Sequence, residues 1–335
     1  MLIGHQATIQ RLWGALERDS LHHALLFEGA PGIGKRRLAL RLAQAANCEA
    51  EVRPCEKCRS CGLIATGNHP DVIMVVPDPE KATATIGVDQ IREVVRQSGY
   101  HRYNAKKRFI IIDPAEAMQA SAANALLKTL EEPPAGTGFI LLATHARALL
   151  PTILSRCQRH RLAPVTEKEL VIWLSGQGID NASVIARMAE GRPGRALELA
   201  QGSLTERAEF RAQALQAMAG SLKETFQFSE ALCKGAGRQD WVPKVERLLE
   251  LFEDLLRDTT ILASGLDAPL LNADLQPVLE KWVDALWPGG ISACAEAIHE
   301  ARENLQANVG GRTVVDALLA RIRTELGAAR KAVLA

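Results

Sequence analysis

The stretch HALLFEGAPGIGKRRLALRLAQAA, residues 23–46, decides the fold. A short apolar run reads as a strand, a glycine-rich turn follows it, and RRLALRLAQAA reads as the helix after the turn. Strand, G-x-x-x-x-G-K and helix together form the context in which backbone N–H groups wrap around phosphate oxygens. Gly29, Gly32 and Gly34 supply the conformational freedom, while Lys35 and the helix N-terminus favour negative charge. The consensus continues with a serine or threonine whose hydroxyl helps to hold Mg²⁺. Arg36 stands there instead. It has two readings, a contact to phosphate or an ordinary solvated helix residue.

Working outward, further apolar runs predict strands in DVIMVVP (71–77), RFIIID (108–113), FILLAT (139–144) and CQRHRLA (157–163). Between two of them, SAANALLKTLEEPP (121–134) reads as an amphipathic helix that Pro133 and Pro134 stop. Alternating strands and helices predict an α/β domain with a largely parallel sheet. After about Pro164 the strand signal ends, and the remainder has helical spacing of leucine and valine, as in VERLLELFEDLLRDTTILA (245–263) and GRTVVDALLARIRTEL (311–326). The expected organisation is an α/β domain over 1–164, a small helical domain over 165–205 and a larger all-α domain over 206–335.

Bulk properties narrow the function classes. With 335 residues and a formal charge of +1, the chain has room for two or three cores and lacks the strong positive balance of a self-sufficient nucleic-acid binder. No run of about 18 or more apolar residues occurs, so neither a membrane span nor a signal peptide is read, and a cytoplasmic protein is expected. No Ser-His-Asp or paired-carboxylate arrangement points to an independent hydrolase. The KKR run at 106–108 reads as an exposed charged turn or a DNA contact.

Four of the seven cysteines fall in NCEAEVRPCEKCRSC. Cys48, Cys55, Cys58 and Cys61 read C-x6-C-x2-C-x2-C, a spacing that lets four thiolates close a tetrahedral shell around Zn²⁺. A closed sulfur shell leaves no open water position, so the expected metal is structural; an iron–sulfur cluster is the alternative.

RFIIID ends at Asp113, a candidate metal-side carboxylate, but Pro114 follows where hydrolytic ATPases of this type place a water-activating glutamate. Glu116 lies beyond it and is expected to point elsewhere. The expected outcome is loss of hydrolysis, with nucleotide binding left open.

LIGHQATIQRL, GAPGIGK, the four-cysteine insertion, NHPD, NALLKTLEEPP, FILLAT and LPTILSRC occur in this order. The chain resembles the bacterial clamp-loader subunits of the AAA+ ATPase superfamily over most of residues 1–160. The resemblance implies an ATPase-like core with a zinc module, a helical lid and a C-terminal collar for oligomerisation. It implies gamma/tau and delta partners, the beta sliding clamp and primer–template DNA. It also implies that Arg156, in SRC, reaches ATP on an adjacent subunit as an arginine finger; the alternative is pairing with a local acid. Thr144 corresponds to the polar group that senses phosphate, or is a plain strand cap. In GRPGRALEL the resemblance puts Gly194 where active relatives carry a lid arginine. Arg195 beside it is a candidate substitute for that arginine, with a solvated helix residue as the expected reading. These departures favour a largely non-hydrolysing subunit over an active gamma-like ATPase, which is the alternative. The helix with Lys128, Glu131 and Glu132 is a candidate subunit boundary, and Leu126, Leu127 and Leu130 are expected in the core.

Overall fold

The computed structural model describes residues 2–78, 85–103, 105–201, 204–235, 237–307 and 309–334. Contacts divide the chain into two units, Met1–Gln201 and Gly202–Ala335. The expected boundary at 164/165 falls inside the first unit.

Among the described residues the first unit holds five strands, β1 (Ala24–Glu28), β2 (Val72–Val75), β3 (Arg108–Ile112), β4 (Thr137–Ala143) and β5 (Gln158–Arg161). They form one parallel sheet in the order β2-β3-β4-β1-β5. Its helices are α1 (Gln6–Glu17), α2 (Lys35–Asn47), α3 (Arg59–Ala65), α4 (Val88–Ser98), α5 (Ala120–Glu131), α6 (Pro151–Leu154), α7 (Glu167–Gly176), α8 (Ala182–Ala189) and α9 (Pro193–Gln201). The central strands are apolar without alternation because helices cover both faces. Leu26, Ile110, Ile112 and Leu141 pack on one side, and Phe27, Phe109, Ile111 and Leu142 on the other. The edge strand β5 buries only His160 and leaves Gln158, Arg159 and Arg161 outside, so charged side chains guard the free edge. Leu126 and Leu130 are buried in the sheet core, with Leu127 partly so.

The KKR run is not an exposed turn throughout. Arg108 opens β3 and is 5% exposed. Its Nη2 and Nε donate to Asp71 Oδ1 at 2.7 and 3.1 Å, and its Nη1 donates to the carbonyls of Gln97, Ser98 and Tyr100. Asp71 Oδ2 in turn accepts from the backbone N–H of Tyr103 and Ala105. A buried pair this fully bonded is costly to break on one side, because the remaining charge is left unpaired. Asp71→Ala is therefore expected to lower unfolding free energy by about 3–5 kcal/mol. Denaturant titration checks this, and an unchanged midpoint and slope would show that the pair is solvated in solution.

The second unit is helical: α10 (Leu204–Ala219), α11 (Leu222–Leu232), α12 (Arg238–Ser264), α13 (Gln276–Leu286), α14 (Gly289–Gln306) and α15 (Gly311–Leu326). Leucines on α12 and α15 and the buried Trp282 of α13 meet in one core. Buried Asp258 accepts from the backbone N–H of Leu271 and Asn272 at 3.0 and 2.7 Å, tying the segment after α12 back onto that helix.

Candidate nucleotide and metal sites

Parallel strand order assembles the first site. β1 lies beside β4, and β4 beside β3, so the residues that follow these strands emerge at one edge of the sheet. They are Gly29 after β1, Asp113 after β3 and Thr144 after β4. Open parallel sheets bind ligands at this edge, outside the carboxyl ends of the strands. In the loop itself Gly32 and Gly34 have φ of 75° and 108°, a region that side chains with a Cβ rarely enter. α2 starts at Lys35 directly behind them.

The groups in this site are engaged with one another. Lys35 Nζ donates to the Gly29 and Ala30 carbonyls at 2.5 and 3.0 Å. Burial lowers the Lys35 pKa, and the carboxylates of Glu116 and Asp113 oppose that shift. Arg36 Nε donates to Asp113 Oδ2 at 2.5 Å. Arg36 keeps 58% of its side chain exposed, so it remains a solvated helix residue, and its guanidinium rests on the carboxylate read as the metal side. Glu116 differs from expectation. A short helical turn, Ala115–Ala117, carries it back over the strand ends, where its Oε1 accepts the Thr144 N–H at 2.9 Å.

The first turn of α9 closes on the phosphate loop. Gly194 N–H donates to the Gly32 carbonyl at 2.7 Å. A Cβ on Gly194 would lie 2.8 Å from Gly32 Cα, so the contact needs glycine on both sides. This packing buries Arg195, expected in solvent, to 7% exposure, with Nη1 3.4 Å from Glu190. On the other flank His5 Nε2 lies 3.0 Å from the Ile33 carbonyl.

Arg156 follows α6 and precedes β5. Its Nε donates to Oε1 of Glu131, the last residue of α5, at 2.8 Å, and its Nη1 donates to the Thr152 carbonyl at 2.8 Å. Within this chain the guanidinium therefore has a local acid. That acid belongs to the helix expected at a subunit boundary.

The four cysteines converge. The Sγ atoms of Cys48, Cys55, Cys58 and Cys61 all lie within 4.8 Å of one another, and none is in a disulfide. Tetrahedral zinc–thiolate geometry requires sulfurs about 3.8 Å apart, from Zn–S bonds of about 2.3 Å, so the set fits a metal such as zinc. Backbone N–H groups of Cys55, Cys58 and Cys61 point at Cys48, Cys55 and Cys58 sulfur respectively, as thiolate ligands require. Burial resists ionisation of Cys48, yet the N–H groups of Ala50 and Cys55 bring its pKa down overall. The Glu49 and Cys61 N–H groups lower that of Cys58. Cys61 is pushed up to about 12, first by burial and then by the Cys58 thiol beside it. A cation among the four would lower all of them. Bound zinc would supply four strong cross-links and no open coordination position.

A five-stranded parallel sheet with a phosphate loop after its first strand and a small helical segment closing on that loop define an AAA+-like architecture, here with a four-cysteine insertion. A solved DNA polymerase III gamma subunit-related protein from Thermotoga maritima has this fold, with a TM-score of 0.50 at 20% identity over 95% of this chain and 99% of that one. Residues 4–166 match the family described as DNA polymerase III, delta subunit. The chain is 37% identical over 211 residues to DNA polymerase III subunit delta′ of Escherichia coli K12, a match that spans 62% of this chain and 63% of that one. To the delta′ subunit of Bacillus subtilis it is 31% identical over 317 residues, 92% of this chain and 93% of that one. The chain belongs to the delta-prime family of DNA polymerase III clamp-loader subunits.

Two features of the site carry little or no sequence signal. For Glu116 the signal is faint, a three-residue offset from Asp113 that one short helical turn converts into a return to the site. The Arg156–Glu131 pair has no local signal, since the partners are 25 residues apart.

Proposed function

We propose that this chain is the delta-prime member of a clamp loader. With gamma/tau and delta subunits it would load the beta sliding clamp onto primer–template DNA. It does not turn over ATP, and it lends Arg156 to the nucleotide of a neighbouring subunit. The organisation that goes with this role is an ATPase-like domain over 1–164 with zinc on Cys48, Cys55, Cys58 and Cys61, a lid over 165–205 and an oligomerising collar over 206–335. The observation that carries the non-hydrolysing part is Arg36 itself, which stands where the metal-ligating hydroxyl belongs and rests on Asp113. Phosphoryl transfer depends on positioning and on neutralising charge on the phosphate, with Mg²⁺ at the centre of both. The missing hydroxyl ligand beside Lys35 weakens the metal's hold, and a guanidinium on the metal-side carboxylate adds to this, although an exposed pair of that kind is worth only about 0–1 kcal/mol. Gly29, Gly32, Gly34, Lys35 and Thr144 then form a retained shell.

Purified chain incubated with Mg²⁺-ATP is expected to show no turnover above a Lys35→Ala control. Saturable, lysine-dependent hydrolysis would instead establish a gamma-like ATPase in which Arg36 swings off Asp113.

A further inference from the structure

We propose that the loop after α4 (99–103 and 105–107) is a contact for single-stranded DNA. Tyr100 and Tyr103 stack on bases, and Arg102 and Lys106 face the phosphates. The choice of DNA over RNA rests on the clamp-loader reading; the surface itself does not.

The sequence sets this stretch apart. No aspartate or glutamate occurs between Glu93 and Asp113, while Arg96, Arg102, Lys106, Lys107 and Arg108 all fall there. The chain as a whole carries a formal charge of only +1. It has two tyrosines, and both stand in this loop, three positions apart. Aromatic rings interleaved with cations are what a single strand requires, since its bases offer π-faces and its backbone a line of negative charge.

The structure exposes the rings and fixes the backbone beneath them. Tyr100 is 54% exposed and Tyr103 80%. Below them, buried Arg108 donates Nη1 to the carbonyls of Gln97, Ser98 and Tyr100, and Nη2 to that of His101. Its ion partner Asp71 accepts from the N–H of Tyr103 and Ala105 at 2.8 and 3.2 Å. A buried ion pair is weak evidence for stability, because apolar groups of similar volume often serve as well. Here it holds both limbs of a loop whose tyrosine rings remain in solvent. Such ordering lowers the entropy cost of binding at those rings.

The charges divide in the same way. Arg96 pairs with Glu93, and its guanidinium lies 5.3 Å from the Tyr100 ring centroid, a cation–π contact that orients the ring. Arg102 Nη1 donates to the Ala135 carbonyl at 3.1 Å, and Lys106 Nζ to the Cys48 carbonyl at 3.1 Å. Both cations are thus anchored on neutral groups and keep their charge for an anion.

The test is fluorescence anisotropy of a labelled oligodeoxythymidylate strand titrated with the full chain, over a range of salt. Wild type is expected to bind saturably and more weakly as salt rises. Tyr100→Ala and Tyr103→Ala are each expected to raise Kd about fivefold or more, and Tyr103→Phe to leave it unchanged because the ring is kept. Arg102→Ala is expected to weaken binding and flatten the salt dependence. Lys281→Ala, an exposed charge change on α13, is the control and should change nothing. An iodouridine-bearing strand should cross-link to Tyr100 or Tyr103 on irradiation. The proposal is overturned if wild type shows no saturable binding, or if folded alanine variants of both tyrosines bind as wild type does. Equal binding of a duplex without tyrosine dependence overturns it too, leaving phosphate attraction alone. So does retained DNA binding with lost subunit assembly in the tyrosine variants, which would make the loop a protein contact. Tighter, tyrosine-dependent binding of an oligouridylate strand would count against the clamp-loader reading and keep the surface. Loss of tyrosine dependence on both strands would sink only the surface.

Discussion

Arg156→Ala in the assembled complex is expected to slow ATP hydrolysis at the neighbouring subunit's site by on the order of 10³-fold or more, the range over which arginine fingers act in phosphoryl transfer. The argument starts from charge. The transferred phosphoryl group spreads negative charge over its oxygens, and a planar guanidinium meets two of them at once without ever losing its own charge. Arg156 is placed for reach: it leaves the short helix α6, and its side chain keeps 30% of its surface exposed although it pairs with Glu131. An exposed pair of this kind is worth about 0–1 kcal/mol, far below the value of a phosphoryl contact, so Glu131 does not hold the guanidinium back. Single-turnover kinetics in reconstituted complex provide the measurement, with Arg156→Lys as a partial rescue of charge but not of the fork. Unchanged kinetics in Arg156→Ala would remove the finger and leave Arg156 as a surface partner of Glu131.

Removing the metal is expected to have the second large effect. Structural zinc in small modules contributes apparent binding free energies of about 10–16 kcal/mol, because the ligand cage does not exist in the unfolded chain. Between its ends the segment 48–61 is tied to the domain mainly at its surface, by the Arg41–Glu56 ion pair and the Trp13 bond to the Arg53 carbonyl. Val52 is 83% exposed, and most of the segment between the first and last cysteine is charged or polar. The ends are anchored: Cys48 caps α2, Cys61 lies in α3, and Ile64 of α3 enters the sheet core. Chelation, or Cys58→Ser, is therefore expected to open residues 48–65 locally while the sheet survives. Metal analysis should find about one zinc per intact chain. Amide exchange across 48–65 should accelerate by orders of magnitude on chelation, with β3 and β4 unchanged. A metal-free chain with the same protection would refute the site.

Features encoded within a few residues are legible in the sequence itself. The strands can be read because a sheet covered on both faces needs uninterrupted apolar runs, and RFIIID and FILLAT supply them. The phosphate loop can be read because its glycines and lysine act through one turn of backbone. The cysteine cluster is legible for the same reason, its ligands lying between residues 48 and 61. Such spacing survives in any tertiary context.

The arrangements that assign roles are decided by the tertiary structure. Arg36 meets Asp113 across 77 positions only because β3 and β1 lie on either side of β4. Glu116 faces the site because a turn after β3 packs against the end of β4, and Arg195 is buried because a helix after α8 packs against the loop. Arg108 belongs to the interior although two lysines precede it, because Asp71 and a ring of carbonyls surround it. A charged residue's spacing says nothing of which opposite charge will reach it. That pairing is set by strand order and by which helix closes over the sheet, and in this protein it separates a phosphate loop that keeps its shape from one that keeps its chemistry.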